Sequence, residues 1–222
     1  FLAAYFVDDH GAGLIVSTGE RALLGDIERV LRRHDGDEIR GLAAMCARGH
    51  GKSTVMKTAV MWAIVVLGYR YAAILTSGTL WEQFSRDLRG LVEGYGPVVR
   101  GPDGLPLLTT DWALAPSTGS QRLWNLEDFR LMVGARMARV SVRGMSGGGG
   151  SVRGLVDGAQ RPDLLVVDDP MKDSEAANLD VTERTKAFVR AAYWPCGAPD
   201  ARYLAFGTPF NDQDLISEMV GS

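Results

Sequence analysis

A chain of 222 residues, 46% hydrophobic and 23% charged, is long enough to bury a sizeable core as one globular unit and is neither a fibre nor a disordered tail. Its formal net charge of −3 excludes a protein that coats nucleic acid through bulk charge and leaves that role to local basic patches. Two cysteines, Cys46 and Cys196, are too few for a disulfide framework and point to plain thiols in a reducing compartment.

The chain opens on Phe1-Leu2-Ala3-Ala4-Tyr5-Phe6-Val7, with neither an initiating Met nor the charged start of a secretion signal, as expected of a trimmed fragment. From Arg21 to Arg33, Leu23, Leu24, Ile27, Val30 and Leu31 recur at helical spacing, with charges on the solvated face. Gly41 to Met45 is a short apolar run, Ser53 to Leu67 reads as a helix, and Tyr71 to Leu75 reads as a buried strand ending at Thr76-Ser77-Gly78. The longest apolar run, Ala59 to Leu67, is too short to span a bilayer, and no membrane partner is expected.

Leu80 to Val92 has helical character, while Gly96 to Ser120, with four prolines, reads as a long loop. Phe129 to Val142 predicts two strands turning at Gly134, and the Gly147 to Gly150 run predicts a loop. Leu164 to Val167 is an apolar strand, Glu183 to Ala192 a helix, Tyr203 to Phe206 a further buried strand and Asp212 to Val220 a last helix. This alternation predicts an α/β fold with a mainly parallel central sheet flanked by helices.

Between the first strand and the second helix lies Met45-Cys46-Ala47-Arg48-Gly49-His50-Gly51-Lys52-Ser53-Thr54, which ends in the Gly-Lys-Ser of a phosphate-binding loop. Gly49 and Gly51 let backbone N–H groups close around phosphate oxygens, and the helix N-terminus adds partial positive charge. Lys52 reaches the β- and γ-phosphates and Ser53 holds Mg²⁺; Arg48, His50 and Thr54 complete the nucleotide-binding set. The first Gly of the standard spacing is replaced by Cys46.

The strand Leu164-Leu165-Val166-Val167 ends in Asp168-Asp169-Pro170, at the sheet edge where ligands of such folds bind. Asp168 suits a Mg²⁺ ligand, and Asp169 suits the carboxylate that orients and deprotonates the attacking water. A polar turn would also favour Asp-Asp-Pro, but the phosphate loop upstream favours the site. In Gly207-Thr208-Pro209, Thr208 sits at another strand tip, where a hydroxyl can sense the γ-phosphate. His10, His34 and His50 form no metal spacing with the cysteines, and Trp62 and Trp81 read as core residues.

Together these blocks resemble the large terminase subunits of tailed bacteriophages, the ATPases that pump DNA into preformed capsids. The first block is similar to the family's deviant phosphate loop, where a basic residue commonly takes the place of Arg48. Arg153-Gly154 with Arg161-Pro162-Asp163 and the acidic strand forms the second block, and Gly207 to Leu215 resembles the family's coupling motif. The resemblance implies an ASCE-type P-loop motor domain that binds ATP and Mg²⁺ and is monomeric in isolation. It also implies a homo-oligomeric ring, a pentamer, around double-stranded DNA on the portal protein, with a small terminase subunit as partner, in the host cytoplasm and transiently on the procapsid. The chain is expected to be a single ATPase domain over 1–222 with a small lid near its C-terminal end. The family's nuclease domain is expected to be absent. Asp168-Asp169 departs from the Asp-Glu of many relatives, and no upstream adenine-contacting Gln is evident before Gly41.

Phosphoryl transfer gains from a guanidinium against the developing charge. Arg48 in cis and Arg153 in trans are the catalytic candidates, with Arg143 the rival to Arg153, because Ser-Val-Arg-Gly occurs at both 141–144 and 151–154. Two other classes share part of the signature. A helicase-like or DNA-repair ATPase requires a second motor domain, and a nucleotide-dependent binding switch needs no water-positioning acid.

Overall fold

The computed structural model describes residues 16–32, 39–47, 51–78, 80–95, 98–118, 123–146, 149–152, 155–156, 160–209 and 214–221. A first helix, α1 (Thr18–Leu31), leads to β1 (Gly41–Met45), α2 (Lys52–Val65), β2 (Tyr71–Ser77) and α3 (Leu80–Glu93). Then come α4 (Leu107–Trp112), β3 (Leu114–Pro116), β4 (Asp128–Val133), β5 (Arg136–Ser146) and β6 (Gly149–Gly150). The last part holds β7 (Leu164–Asp168), α5 (Asp173–Ala176), α6 (Leu179–Phe188), β8 (Arg202–Gly207) and α7 (Leu215–Gly221).

The strands form one sheet in the order β1-β8-β7-β2-β5-β4-β3, with β6 paired to β5. From β1 to β5 neighbours are parallel, and β4 and β3 continue the sheet antiparallel. Every residue of β2 and β7 is buried, as expected of parallel strands covered on both faces. Ala72 and Ile74 of β2 point into one core with Val60, Ile64 and Leu88. Ala73 and Leu75 point into the other with Val189, Tyr193 and Leu215.

The helices follow their side chains. α2 is buried nearly all round, whereas α3 turns Phe84, Leu88, Leu91 and Val92 inward. α1 begins three residues earlier than its apolar spacing suggests. Ser17 and Glu20 form a reciprocal capping box, with the Glu20 N–H donating to Ser17 Oγ at 3.2 Å and the Ser17 N–H to Glu20 Oε2 at 2.7 Å.

Three expectations are corrected. The stretch read as a long loop from 96 to 120 contains α4 and β3, with Pro106 at the N-cap of α4, where its missing N–H costs nothing. The second half of the glycine run pairs as β6 with Met145 and Ser146. The helix expected over 183–192 begins at Leu179 under the Asn178 cap and passes into a π-helical turn, Val189–Tyr193. There the Tyr193 hydroxyl is buried against the Ala73 and Val166 carbonyls at 2.7 and 2.9 Å, which anchors this segment to the centre of the sheet.

Candidate nucleotide site

Parallel register sets the site. Met45 lies opposite Gly207, and Asp168 lies opposite both Phe206 and Thr76, so the tips of β1, β8, β7 and β2 share the carboxyl edge of the sheet. Insertion of β8 between β1 and β7 spaces the tip of β1 one strand away from the acidic tip of β7 and puts the end of β8, where Thr208 lies, between them. Gly51 at φ 65° turns the chain into α2, a left-handed conformation that favours Gly.

Lys52, the first residue of α2, is buried and meets Asp169 as an ion pair rather than as a directed hydrogen bond; its Nζ is 3.7 Å from Asp168 Oδ1. One residue on, Ser53 Oγ lies 3.5 Å from Asp168 Oδ2. A cleft of about 250 Å³ opens over these groups, lined by Ala47, Gly51, Lys52, Ser53, Thr54, Asp169 and Thr208.

Asp169 has φ 43°, in the left-handed region that non-glycine residues rarely adopt. Its conformation is fixed from three sides. The Asp169 N–H donates to the Phe206 carbonyl at 2.9 Å, its carbonyl accepts from the Ser77 N–H at 3.1 Å, and its Oδ1 accepts from the Thr208 N–H at 2.9 Å. Strain held by surrounding bonds in this way is characteristic of functional positions. Here it turns the Asp169 side chain toward Lys52 and leaves Asp168 inward at 3% exposure.

Burial pushes the Asp168 carboxyl up to about 6, with Asp169 adding to the rise and Lys52, Lys57 and Ser53 opposing it. Asp168 Oδ1 is buried without a hydrogen-bond donor. A hydroxyl beside a carboxylate oxygen of this kind is the donor set a hard cation takes, with phosphate oxygens and water supplying the remaining ligands. Among the described residues no group of three or more His, Cys, Asp or Glu forms a metal site by itself. The Cys46 thiol is pushed up chiefly by burial, further by Asp168 and Asp169 and against Lys52, so it stays protonated.

Of the residues singled out in the sequence, Gly51, Lys52, Ser53, Thr54, Asp168, Asp169 and Thr208 come together here. Arg48, Gly49, His50 and Arg153 lie outside the described residues, as do positions 210–213 of the coupling-motif block. Arg143 is not at the cleft. It is buried on β5, with Nη2 2.5 Å from Asp128 Oδ2 and Nη1 3.1 Å from the Val142 carbonyl, and Arg139 shares the same carboxylate at 2.9 Å. Lys57 went unremarked in the sequence. It lies one turn after Ser53 on α2, paired with Asp87 of α3, and its position four residues along the helix was the available signal. Trp62 and Trp81 are partly buried and pack against the main core, as expected, and Trp81 fills the space a side chain at Gly144 would need.

No protein-family model matches the sequence, and no curated protein matches it at the sequence level. Solved structures do share its architecture. The large terminase ATPase domain of Thermus phage P74-26 is similar with a TM-score of 0.50 and 14% identity, over 88% of this chain and 70% of that one. An arginine-to-alanine mutant of the same domain gives a TM-score of 0.50 and 15% identity over 88% and 71%. The large terminase of bacteriophage HK97 aligns over 100% of this chain and 39% of its own, with a TM-score of 0.56 and 10% identity. Among the described residues no helix is long and apolar enough to cross a membrane. With its phosphate-loop helix, acidic strand tip and mostly parallel sheet, the chain has the P-loop NTPase fold of the phage large terminase ATPase domains.

Proposed function

We propose that this chain is the ATP-hydrolysing motor domain of a viral genome-packaging terminase, which translocates double-stranded DNA into a procapsid. The observation that carries the reading is the convergence of Lys52, Ser53, Asp168, Asp169 and Thr208 on one cleft in a sheet with the fold of terminase ATPases. A domain that only binds nucleotide needs the lysine and the hydroxyl. The strained, clamped Asp169 is what hydrolysis adds.

In this reading Lys52 leaves Asp169 to neutralise the β- and γ-phosphate oxygens of ATP, and the N-terminus of α2 contributes its partial charge. Mg²⁺, when bound, would neutralise phosphate charge as the leaving group departs. Ser53 and Asp168 would hold it. Asp169, freed from the lysine, accepts a proton from the attacking water. Thr208 hangs on Asp169 through its N–H, so a change at the carboxylate is transmitted to the end of β8. Arg48 stabilises charge in cis and Arg153 supplies a guanidinium from a neighbouring subunit; the buried contacts of Arg143 favour Arg153 for that role. The partners follow from the same reading: a homo-oligomeric ring on a portal protein, a small terminase subunit and duplex DNA, in the host cytoplasm.

Steady-state phosphate release with and without Mg²⁺, and with and without duplex DNA, tests it. Turnover that requires Mg²⁺ and is lost in Asp169→Asn is expected. Tight ATP binding with no turnover under any of these conditions would make the chain a nucleotide switch.

A further inference from the structure

The edge of the sheet opposite the nucleotide cleft carries a row of arginines that the proposed chemistry leaves unused. Each of the five adjacent parallel strands has one at its amino end: Arg40 before β1, Arg202 opening β8, Arg161 before β7, Arg70 before β2 and Arg136 opening β5. Neighbouring strands lie about 4.8 Å apart, so the row extends about 19 Å, the rise of five to six nucleotides of one strand of duplex DNA. Among the described residues, this edge gathers five arginines, with the carboxylates of Asp163 and Asp200 beside two of them, in a chain whose net charge is −3. Asp163, moreover, is occupied in accepting the backbone N–H groups of Arg70 and Tyr71, both at 2.9 Å.

Arg40, Arg70 and Arg161 are exposed, and a cleft of about 590 Å³ lies beside Arg70 and Arg161, walled also by Gln160, Ala198, Pro199 and the carboxylates of Asp163 and Asp200. Two of the three are held in place by the 195–200 turn. Arg161 Nη1 donates to the Pro195 carbonyl at 3.1 Å and Arg40 Nη1 to the Pro199 carbonyl at 2.6 Å. Beneath them Arg202 is buried with its Nε unpartnered, and Arg136 reaches the Tyr69 carbonyl at 2.9 Å. The Arg136 guanidinium is shifted down, first by burial and then by the positive charge of Arg70, with Asp163 opposing. Guanidinium forks held by backbone carbonyls, as those of Arg40 and Arg161 are, match phosphate oxygens in geometry and charge. The cleft is walled by small and polar groups rather than by the aromatic and aliphatic side chains that a lipid surface or protein hot spot would use.

We infer that the arginine row at the amino end of the sheet, presented by Arg40, Arg70 and Arg161, is a binding surface for the phosphate backbone of duplex DNA. The inference rests on the motor reading for its choice of polyanion, but not on the chemistry of the cleft. It places the track on the edge away from the nucleotide, so that the strands themselves connect the two.

The test measures binding of a duplex of about 30 bp by fluorescence anisotropy across a salt series, for the wild type and the triple variant Arg40→Ala/Arg70→Ala/Arg161→Ala. The variant is expected to lose affinity about ten-fold or more, and the slope of log K against log salt is expected to shrink by about 3, close to one unit per arginine. The charge-conserving triple Arg40→Lys/Arg70→Lys/Arg161→Lys, which keeps the cations, should retain most of the slope; this separates charge from disturbance of the 195–200 turn. Basal ATP hydrolysis should be unchanged in both. Wild-type binding that is equal in the alanine triple, no duplex binding at low salt, or binding only to anionic vesicles would overturn the assignment. Loss of ATP turnover in Lys52→Ala with DNA binding intact leaves the surface standing, whereas an inactive wild type that still binds DNA through these arginines refutes only the motor.

Discussion

Lys52 is ion-paired with Asp169, the carboxylate assigned to the attacking water, so cation and base hold each other before phosphate arrives. The pair balances the buried Lys52 with the half-buried Asp169, and it ties up both groups that the proposed hydrolysis would use. In the proposed mechanism, entry of a triphosphate would draw the lysine to the phosphate oxygens and free the carboxylate in the same event.

Lys52→Ala should therefore lower turnover by about 10²- to 10³-fold, the usual cost of removing one group that stabilises developing charge. It should also lower the thermal stability of the nucleotide-free protein, because Asp168 and Asp169 lose the cation between them. Steady-state phosphate release and a melting curve read the two effects. Wild-type turnover in this variant would remove the cleft as the active site.

The two aspartates are expected to fail differently. Asp169→Asn should bind ATP with Mg²⁺ and not hydrolyse it, since an amide cannot take the proton of water. Asp168→Asn should instead raise the Mg²⁺ concentration needed for half-maximal binding. If the phenotypes came out reversed, the roles of the pair would be exchanged.

Burial raises the Asp168 carboxyl from 3.8 to about 6, which gives the nucleotide-free protein a distinctive pH profile. The native state binds the extra proton between these values. Its contribution to stability is full below pH 3.8 and is lost as pH rises through about 6, by up to about 3 kcal/mol. Mg²⁺ needs the ionised form, so its apparent affinity should fall as pH drops through the same range. Asp168→Asn should flatten both dependences. A wild-type unfolding free energy that rose between pH 4 and 6 solely through this group would contradict the burial argument.

Gly51→Ala tests the entry to α2. The position has φ 65°, and a Cβ there would lie 2.9 Å from Glu20 Oε1, whose side chain can yield more easily than the backbone. The left-handed conformation alone costs an alanine about 1–2 kcal/mol. A lower melting temperature and weaker nucleotide binding are expected, and a neutral substitution would mean that the loop does not require this turn.

What could be read from the sequence was what depends on nearby residues. The apolar runs of β2 and β7, the helix α2 and the acidic strand tip all carry local signals, and each is found in its expected place. The capping box at Ser17 and Glu20 was equally local but lay just outside the apolar periodicity used to start the helix. β3 was hidden because its three residues between prolines and polar segments acquire strand character only by pairing with Leu131 to Val133. The insertion of β8 between β1 and β7 joins residues some 160 positions apart, and the Phe206 and Thr208 parts of the clamp on Asp169 exist only through it, while Ser77 reaches Asp169 through the pairing of β2 with β7. The arginine row was invisible for the same reason: five arginines scattered from 40 to 202 become neighbours only once the strand order is known.

The last prediction concerns the guanidinium supplied between subunits. With Arg143 buried on Asp128, Arg153 is the candidate to reach the next subunit's nucleotide. An isolated monomer would then lack part of its catalytic charge, and specific activity should rise as subunits assemble. Arg153→Ala should be nearly silent in the monomer and suppress turnover by about 10³-fold or more in the ring. Mixing it with Asp169→Asn should restore part of the activity, because some interfaces then join an intact Arg153 to an intact Asp169. Arg143→Ala should instead lower stability, since it leaves Asp128 with fewer cations in a buried cluster, and its melting curve should show this before its kinetics do. If co-assembled mixed rings stay as inactive as either parent, or if Arg153→Ala is harmless in the ring, the trans role fails and Arg48 in cis becomes the remaining source of the charge.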